Sequence, residues 1–90
     1  MFRLWGKIFR QNRLLKDVVY ENSDSNLNRT KKVYAGLTEI CMGFDLQEPY
    51  WLEKNIEEFR RHDKTRFDQN NFIEQIEFDF LEIHVIEEDY

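Results

Sequence analysis

The chain has 90 residues, a formal net charge of −5, 41% hydrophobic residues and 34% charged residues. This length predicts one domain, residues 1–90, and the eight phenylalanines, four tyrosines and two tryptophans exclude a disordered chain. A single cysteine, Cys41, excludes an internal disulfide and favours a reducing compartment, so we predict a cytoplasmic protein. Arg3 and Lys7 interrupt the first apolar stretch, which argues against a signal peptide, and the uncharged runs are too short to span a bilayer.

The charge is unevenly distributed along the chain. Residues 1–45 carry 8 basic and 5 acidic side chains, whereas residues 46–90 carry 5 basic and 13 acidic ones. Two interpretations remain open: the halves attract each other in the fold, or the molecule has one basic and one acidic face. The overall acidity argues against non-specific binding to nucleic acid.

The N-terminal residues have the pattern of a β-hairpin. Residues 2–10 and 14–20 predict two strands, and the polar break at residues 11–13 predicts the turn between them. Gly6, in the middle of the first strand, indicates a bulge or a close approach of another backbone segment.

Helical spacing of apolar residues follows, and it predicts a helix over residues 27–42 that ends at Gly43. Gly36 inside this helix indicates close packing at that position. A second helix is predicted over residues 51–61, after Pro49, where acidic residues precede basic ones as the helix dipole favours.

The remaining residues predict a turn at 63–66, a short helix over 69–76 with Asp68 as its N-cap, and a half-buried strand over about 79–87. The resulting fold class is α+β with the order β-β-α-α-α-β. We expect a three-stranded, mainly antiparallel sheet with the helices packed on one face. The apolar positions of these elements predict a core of Leu4, Ile8, Val18, Val33, Leu37, Ile40, Phe44, Leu52, Ile56, Phe59, Phe72, Ile83 and Val85.

Three segments of the chain resemble short uncharacterised bacterial proteins of about 90 residues. The segments are Leu4-Trp5-Gly6-Lys7-Ile8, Trp51-Leu52-Glu53-Lys54-Asn55-Ile56, and Asn71-Phe72-Ile73-Glu74 followed by Phe80-Leu81-Glu82-Ile83. The resemblance covers most of the chain and implies a small bacterial cytosolic protein. It implies no activity, ligand or partner.

The residue types that carry chemistry do not occur at the spacing of a known site. His62 and Asp63 have no nearby Ser or Cys to activate, and Cys41 lies on an apolar helix stripe. His84 and Glu82 supply only two potential metal ligands. We therefore predict no catalytic residues, no metal and no cofactor, and we expect that the protein is not an enzyme.

The densest basic segment is the predicted turn after the second helix. Arg60, Arg61, Lys64 and Arg66 lie within seven residues and are the candidate contacts for phosphate or nucleic acid. The simpler interpretation is a basic helix end that pairs with local acids.

Trp5, Tyr50 and Trp51 are the candidate contacts for a protein partner, because aromatic residues are enriched in binding hot spots. The sequence leaves open whether the two tryptophans lie in the core or on the surface. The hypothesis with most weight is a non-enzymatic protein–protein interaction module, in which an outer strand pairs with a protein partner or with a second copy. The alternative is a regulator that responds to phosphate or nucleic acid through the basic turn, and an enzyme is the third hypothesis.

Overall fold

Alternating apolar residues at both ends of the chain build one antiparallel sheet, as predicted. The computed structural model describes residues 1–88, in which four strands are present: β1 (Phe2–Arg10), β2 (Arg13–Asn22), β3 (Lys64–Phe67) and β4 (Phe80–Glu87). The strand order is β2-β1-β4-β3, and every neighbouring pair is antiparallel. The N-terminal hairpin and the C-terminal strand therefore belong to the same sheet.

The β1–β2 hairpin turns through Gln11 and Asn12. Both residues have positive φ angles, 52° and 64°, which is typical of a two-residue turn whose twist matches the strands. The bulge is on β2: Ile8 pairs with Lys16 and Phe9 pairs with Leu14, so Leu15 is the extra residue. Gly6 marks a close approach instead, because a Cβ atom there would lie 2.6 Å from Cγ2 of Ile40.

Two α-helices cover one face of the sheet. Helix α1 (Arg29–Gly43) begins two residues later than predicted, since the side chain of Asn28 caps it by accepting a hydrogen bond from the amide of Lys31. Helix α2 (Glu53–His62) ends at Asp63, whose left-handed conformation stops the helix. No helix within residues 1–88 is long and apolar enough to span a membrane.

The segment after α2 differs from the prediction in two places. Residues 63–66 do not form an isolated turn, because Lys64–Phe67 pairs with β4 as a fourth strand. The predicted helix over 69–76 is wrong: only a single 3₁₀ turn, Gln69–Asn71, forms there, with Asp68 as its N-cap as predicted. The side chain of Gln69 binds the backbone of Glu74 and Ile76, which holds the following residues in an irregular loop. The described chain thus has four strands and two α-helices rather than three of each.

The core lies between the helices and the sheet and matches most of the predicted residues. Its buried apolar members are Phe2, Leu4, Ile8, Val33, Leu37, Ile40, Cys41, Phe59, Phe67, Phe72, Leu81, Ile83 and Val85. The predictions for Val18, Leu52 and Ile56 are wrong, because all three are exposed, and Phe44 is only partly buried. Val18 lies on an outer strand, Leu52 is the N-cap of α2, and Ile56 falls outside the buried stripe that Asn55 and Phe59 define.

A buried polar network joins α2 to β3. The side-chain Nδ2 of Asn55 donates to Thr65 Oγ1 at 2.9 Å and to the Arg66 carbonyl at 2.8 Å. The side-chain Oδ1 of Asn55 accepts from Asn71 Nδ2 at 2.7 Å and from the backbone amide of Leu52 at 3.1 Å. Both asparagines are fully buried, so every one of these bonds replaces hydration that the side chains have lost.

Candidate interaction surface

The side chains that could take part in catalysis or metal binding have structural roles instead. Cys41 is buried, and burial followed by the negative charge of Glu48 raises the pKa of its thiol to about 12, so it carries no reactive thiolate near neutral pH. Asp63 is bound by Arg29 rather than by His62. Within residues 1–88 no group of three or more His, Cys, Asp or Glu side chains has the geometry of a metal site.

The face of the sheet opposite the helices, called here the open face, carries a row of alternating charges. The row crosses all four strands through Asp17, Lys7, Glu82 and Arg66. Lys7 Nζ lies 2.8 Å from one carboxylate oxygen of Glu82, and Arg66 Nε lies 3.1 Å from the other. Glu82 is therefore held between two cations and is not a free ligand for a metal beside His84.

Aromatic side chains cover this ion pair. The Lys7 ammonium lies 3.9 Å from the centre of the Trp5 ring, and Arg66 lies 4.3 Å from that of Phe80. Phe9 stacks on Phe80 with the ring centres 5.1 Å apart. The side chains of Lys7 and Glu82 are consequently only 11% and 6% exposed, although no helix covers them.

The electrostatics of the open face follow from this packing. Burial acts to raise the pKa of Glu82, but hydrogen bonds and positive charge from Lys7 and Arg66 outweigh it and lower the pKa. Burial, followed by the charges of Lys7 and Lys64, lowers the pKa of His84, so its imidazole is neutral at pH 7. The open face is thus internally neutralised.

The four candidate phosphate contacts do not converge. Arg60 and Arg61 lie at the end of α2, and both pair with Glu57. Lys64 and Arg66 lie on β3 in register with His84 and Glu82, so they belong to the open face. Because Arg66 is committed to Glu82 and Phe80, the segment does not form one basic cluster.

Of the three candidate partner contacts, Tyr50 and Trp51 line one groove at the helix layer, whereas Trp5 lies on the opposite face of the sheet. Trp5 is half-buried on the open face, where its indole N–H donates to Asp17 Oδ2 at 2.8 Å. Trp51 is half-buried at the helix layer and makes edge-on contacts with Tyr34, Phe59 and Phe67. Tyr50 is exposed. Both tryptophans therefore contribute to packing, and no single aromatic patch unites the three residues.

The outer edge of β2 is the least protected part of the sheet. Four of its side chains are large, aliphatic and 40–52% exposed: Leu14, Leu15, Val18 and Val19. Every residue from Arg13 to Val19 is exposed. β2 has a neighbouring strand on one side only, so backbone groups along its other side face outward. A long, apolar edge of this kind is a template for pairing with another strand.

The other edge of the sheet is protected in three ways. β3 has only four residues, and it presents Lys64 and Arg66 on the open face. The side chain of Asn55 on α2 donates a hydrogen bond to the carbonyl oxygen of Arg66, so that oxygen is not free to pair with another strand. Short length, charge and a covering helix are the usual means by which sheets avoid edge pairing. β3 is therefore the better protected edge, although β2 also has a bulge at Leu15 and charged side chains at Arg13, Lys16, Asp17 and Glu21.

A groove of about 440 Å³ runs beside β2 where α1 ends. Val18 and Tyr20 line its sheet side, and Ile40, Met42 and Phe44 line its helix side. The Met42 side chain is 74% exposed. A strand added to β2 would point alternate side chains toward this groove, since successive side chains of a strand face opposite sides of the sheet.

Sequence reasoning placed Val18 in the core and did not single out β2 as a surface. A signal was present: the adjacent pairs Leu14-Leu15 and Val18-Val19 put apolar residues on both faces of one strand. A strand with one buried face alternates instead. Only the strand order, however, shows that β2 is an edge.

Comparison of the chain with protein-family models, with curated proteins and with solved structures found no match. The resemblance to short bacterial proteins accordingly stays a prediction.

Proposed function

We propose that the protein is a non-enzymatic interaction module that binds a protein partner by adding the partner's strand to the outer edge of β2. The observation that carries the proposal is the difference between the two sheet edges: β2 is long, apolar and uncovered, whereas β3 is short, basic and covered by α2. The setting we propose is the cytoplasm, in keeping with a single, buried cysteine.

In strand addition, backbone hydrogen bonds supply affinity, and pockets for alternate side chains supply specificity. β2 provides the backbone, and the groove formed by Val18, Met42 and Phe44 provides the pocket. The partner segment is expected to be an extended strand with an apolar side chain facing this groove. Trp5 contributes to partner binding indirectly, because its hydrogen bond to Asp17 holds that side chain in place on the open face beside β2.

The experiment compares partner capture by three versions of the tagged chain expressed in its native host. The wild type is expected to capture a specific protein, and a double variant with Val18→Lys and Val19→Lys is expected to lose it, because charges on an edge strand oppose pairing. Ile86→Lys is the matched control: it places a lysine at an aliphatic side chain of similar exposure, 45%, on β4.

A reconstituted complex then gives the decisive measurement. Amide hydrogens of β2 are expected to gain protection from exchange when the captured protein is added, and those of β3 are not. Capture that survives the double variant, or protection confined to another element, contradicts the proposal.

The alternative, a regulator that binds phosphate or nucleic acid through Arg60, Arg61, Lys64 and Arg66, predicts a different result. Oligonucleotide binding would have to be salt-dependent, and it would survive the lysine substitutions in β2. Three of these four side chains are already paired with carboxylates, so we give the alternative less weight.

A further inference from the structure

We infer that a second copy of this chain occupies the β2 edge, in an antiparallel pairing of β2 with β2 about a two-fold axis at Val18. The inference rests on the proposed function and names the partner. The product is one continuous eight-stranded sheet with two copies of the helix layer on the same side.

The alternation of faces restricts the possible registers. Lys16, Val18 and Tyr20 pair with the helix-side residues of β1, whereas Asp17, Val19 and Glu21 pair with its open-face residues. A two-fold axis perpendicular to the sheet keeps the helix sides of both copies together. Residues opposite each other must then share a face, so the axis passes through a residue and not between two residues.

Charge selects one of these registers. An axis at Lys16 or at Asp17 sets that charged residue opposite its own copy, and an axis at Val19 sets Asp17 opposite Glu21. Like charges directly opposite each other destabilise a strand pair. An axis at Leu15 falls on the bulge, and an axis at Tyr20 leaves Lys16 and Asp17 unpaired. The axis at Val18 sets no like charges directly opposite each other and pairs residues 16–20 in regular alternation.

This register sets the following residues opposite each other. Val18 lies opposite Val18 of the second copy on the helix side, and Lys16 lies opposite Tyr20. On the open face, Asp17 lies opposite Val19. β2 carries two basic residues, Arg13 and Lys16, and two acidic ones, Asp17 and Glu21, so the edge itself is neutral although the chain has a net charge of −5.

Apolar burial adds to the backbone pairing. The grooves beside β2 of the two copies adjoin across the axis, which brings Val18 and the exposed Met42 of each copy toward a shared seam, with Asp17 and Glu39 also in its lining. A two-fold interface uses the same surface twice, and an apolar residue at its centre is the arrangement that self-pairing favours.

The test uses charge exchange at the axis. Sedimentation and light scattering of the wild type are expected to give twice the monomer mass of 11.2 kDa. Val18→Lys alone and Val18→Glu alone are each expected to be monomeric, since each opposes like charges. An equimolar mixture of the two is expected to regain the dimer mass. Ile86→Lys, the matched control, is expected to remain dimeric, and circular dichroism verifies that each variant is folded.

A second measurement, disulfide cross-linking, tests the register independently of charge. A Val18→Cys variant is expected to form a covalent dimer under mild oxidation, because the new thiol faces itself across the axis, and Cys41 is buried and does not compete. Val19→Cys is expected to cross-link much more slowly, since Asp17 lies opposite it.

The outcomes separate this inference from the proposed function. A monomeric wild type overturns the second copy as occupant, as does a dimer that neither Val18 variant disrupts. If the wild type is monomeric, and the double variant with Val18→Lys and Val19→Lys no longer captures a protein that the wild type captures, the proposed function stands without this inference. If no captured protein depends on β2 and the chain is monomeric, both fail.

Discussion

Helix α1 approaches the sheet so closely at Gly36 that even a methyl group there must displace its neighbours. A Cβ atom at Gly36 would lie 2.8 Å from Cδ2 of Leu4 and 2.8 Å from Cδ2 of Tyr20. Leu4 is fully buried and has no space to move into, whereas Tyr20 is half-buried and can shift outward in part. At Gly43, the last residue of the same helix, a Cβ atom would meet nothing within 4 Å.

These two glycines give a matched pair of substitutions. Alanine in a helix is worth about 0.5–1 kcal/mol relative to glycine, and neither position has a positive φ that would oppose it. Gly43→Ala is therefore expected to stabilise the protein by up to about 1 kcal/mol. Gly36→Ala has the same gain but also an overpacking cost of about 1–3 kcal/mol.

Urea unfolding of the two variants measures the difference, which is expected to be about 1–3 kcal/mol in favour of Gly43→Ala. In a thermal melt this corresponds to a gap of at least about 4 °C in Tm for a domain of this size. Equal stabilisation by both substitutions would show that α1 does not contact Leu4 and Tyr20 as closely as described.

Three further predictions concern other polar groups of the fold. Asn55→Ala is expected to cost at least about 2 kcal/mol in a denaturant melt, because it leaves several buried partners without hydrogen bonds. Because the pKa of Glu82 is lowered in the folded protein, its carboxylate stabilises the fold at pH values above the ordinary carboxyl pKa near 4.5, and this stabilisation is lost as the pH falls through the lower pKa of the folded state. Glu82→Gln also leaves Lys7 without its carboxylate partner. The variant is expected to be less stable at pH 7 and to show a weaker dependence of stability on pH in melts between pH 7 and pH 3. A double variant with Arg61→Gln and Lys64→Gln is expected to change stability by no more than about 1 kcal/mol, because exposed ion pairs contribute little, and a salt-sensitive loss of oligonucleotide binding in a titration would contradict that interpretation.

Local patterns in the chain determined the elements whose signals are strong. Alternation of apolar residues placed β1 and β4, a run of β-branched and aromatic residues placed β2, and the helical stripe through Leu37 placed α1. The α+β class and the packing of both helices on one face followed from those elements. Close packing at Gly36 was also predicted, since glycine inside a helix indicates such contacts. At Gly6 the prediction was a bulge or a close backbone approach, whereas the side chain of Ile40 packs there.

Tertiary structure decided the features that depend on partners distant in the chain. Lys64–Phe67 is a strand only because β4 offers it an edge, and four residues have no pattern strong enough to predict that pairing. The Asn55–Asn71 pair was missed because burial of a polar side chain depends on groups 16 residues away. Val18 was assigned to the core because apolar character does not distinguish a central strand from an outer one. The strand order β2-β1-β4-β3 makes that distinction, and it places the apolar residues of β2 on the surface.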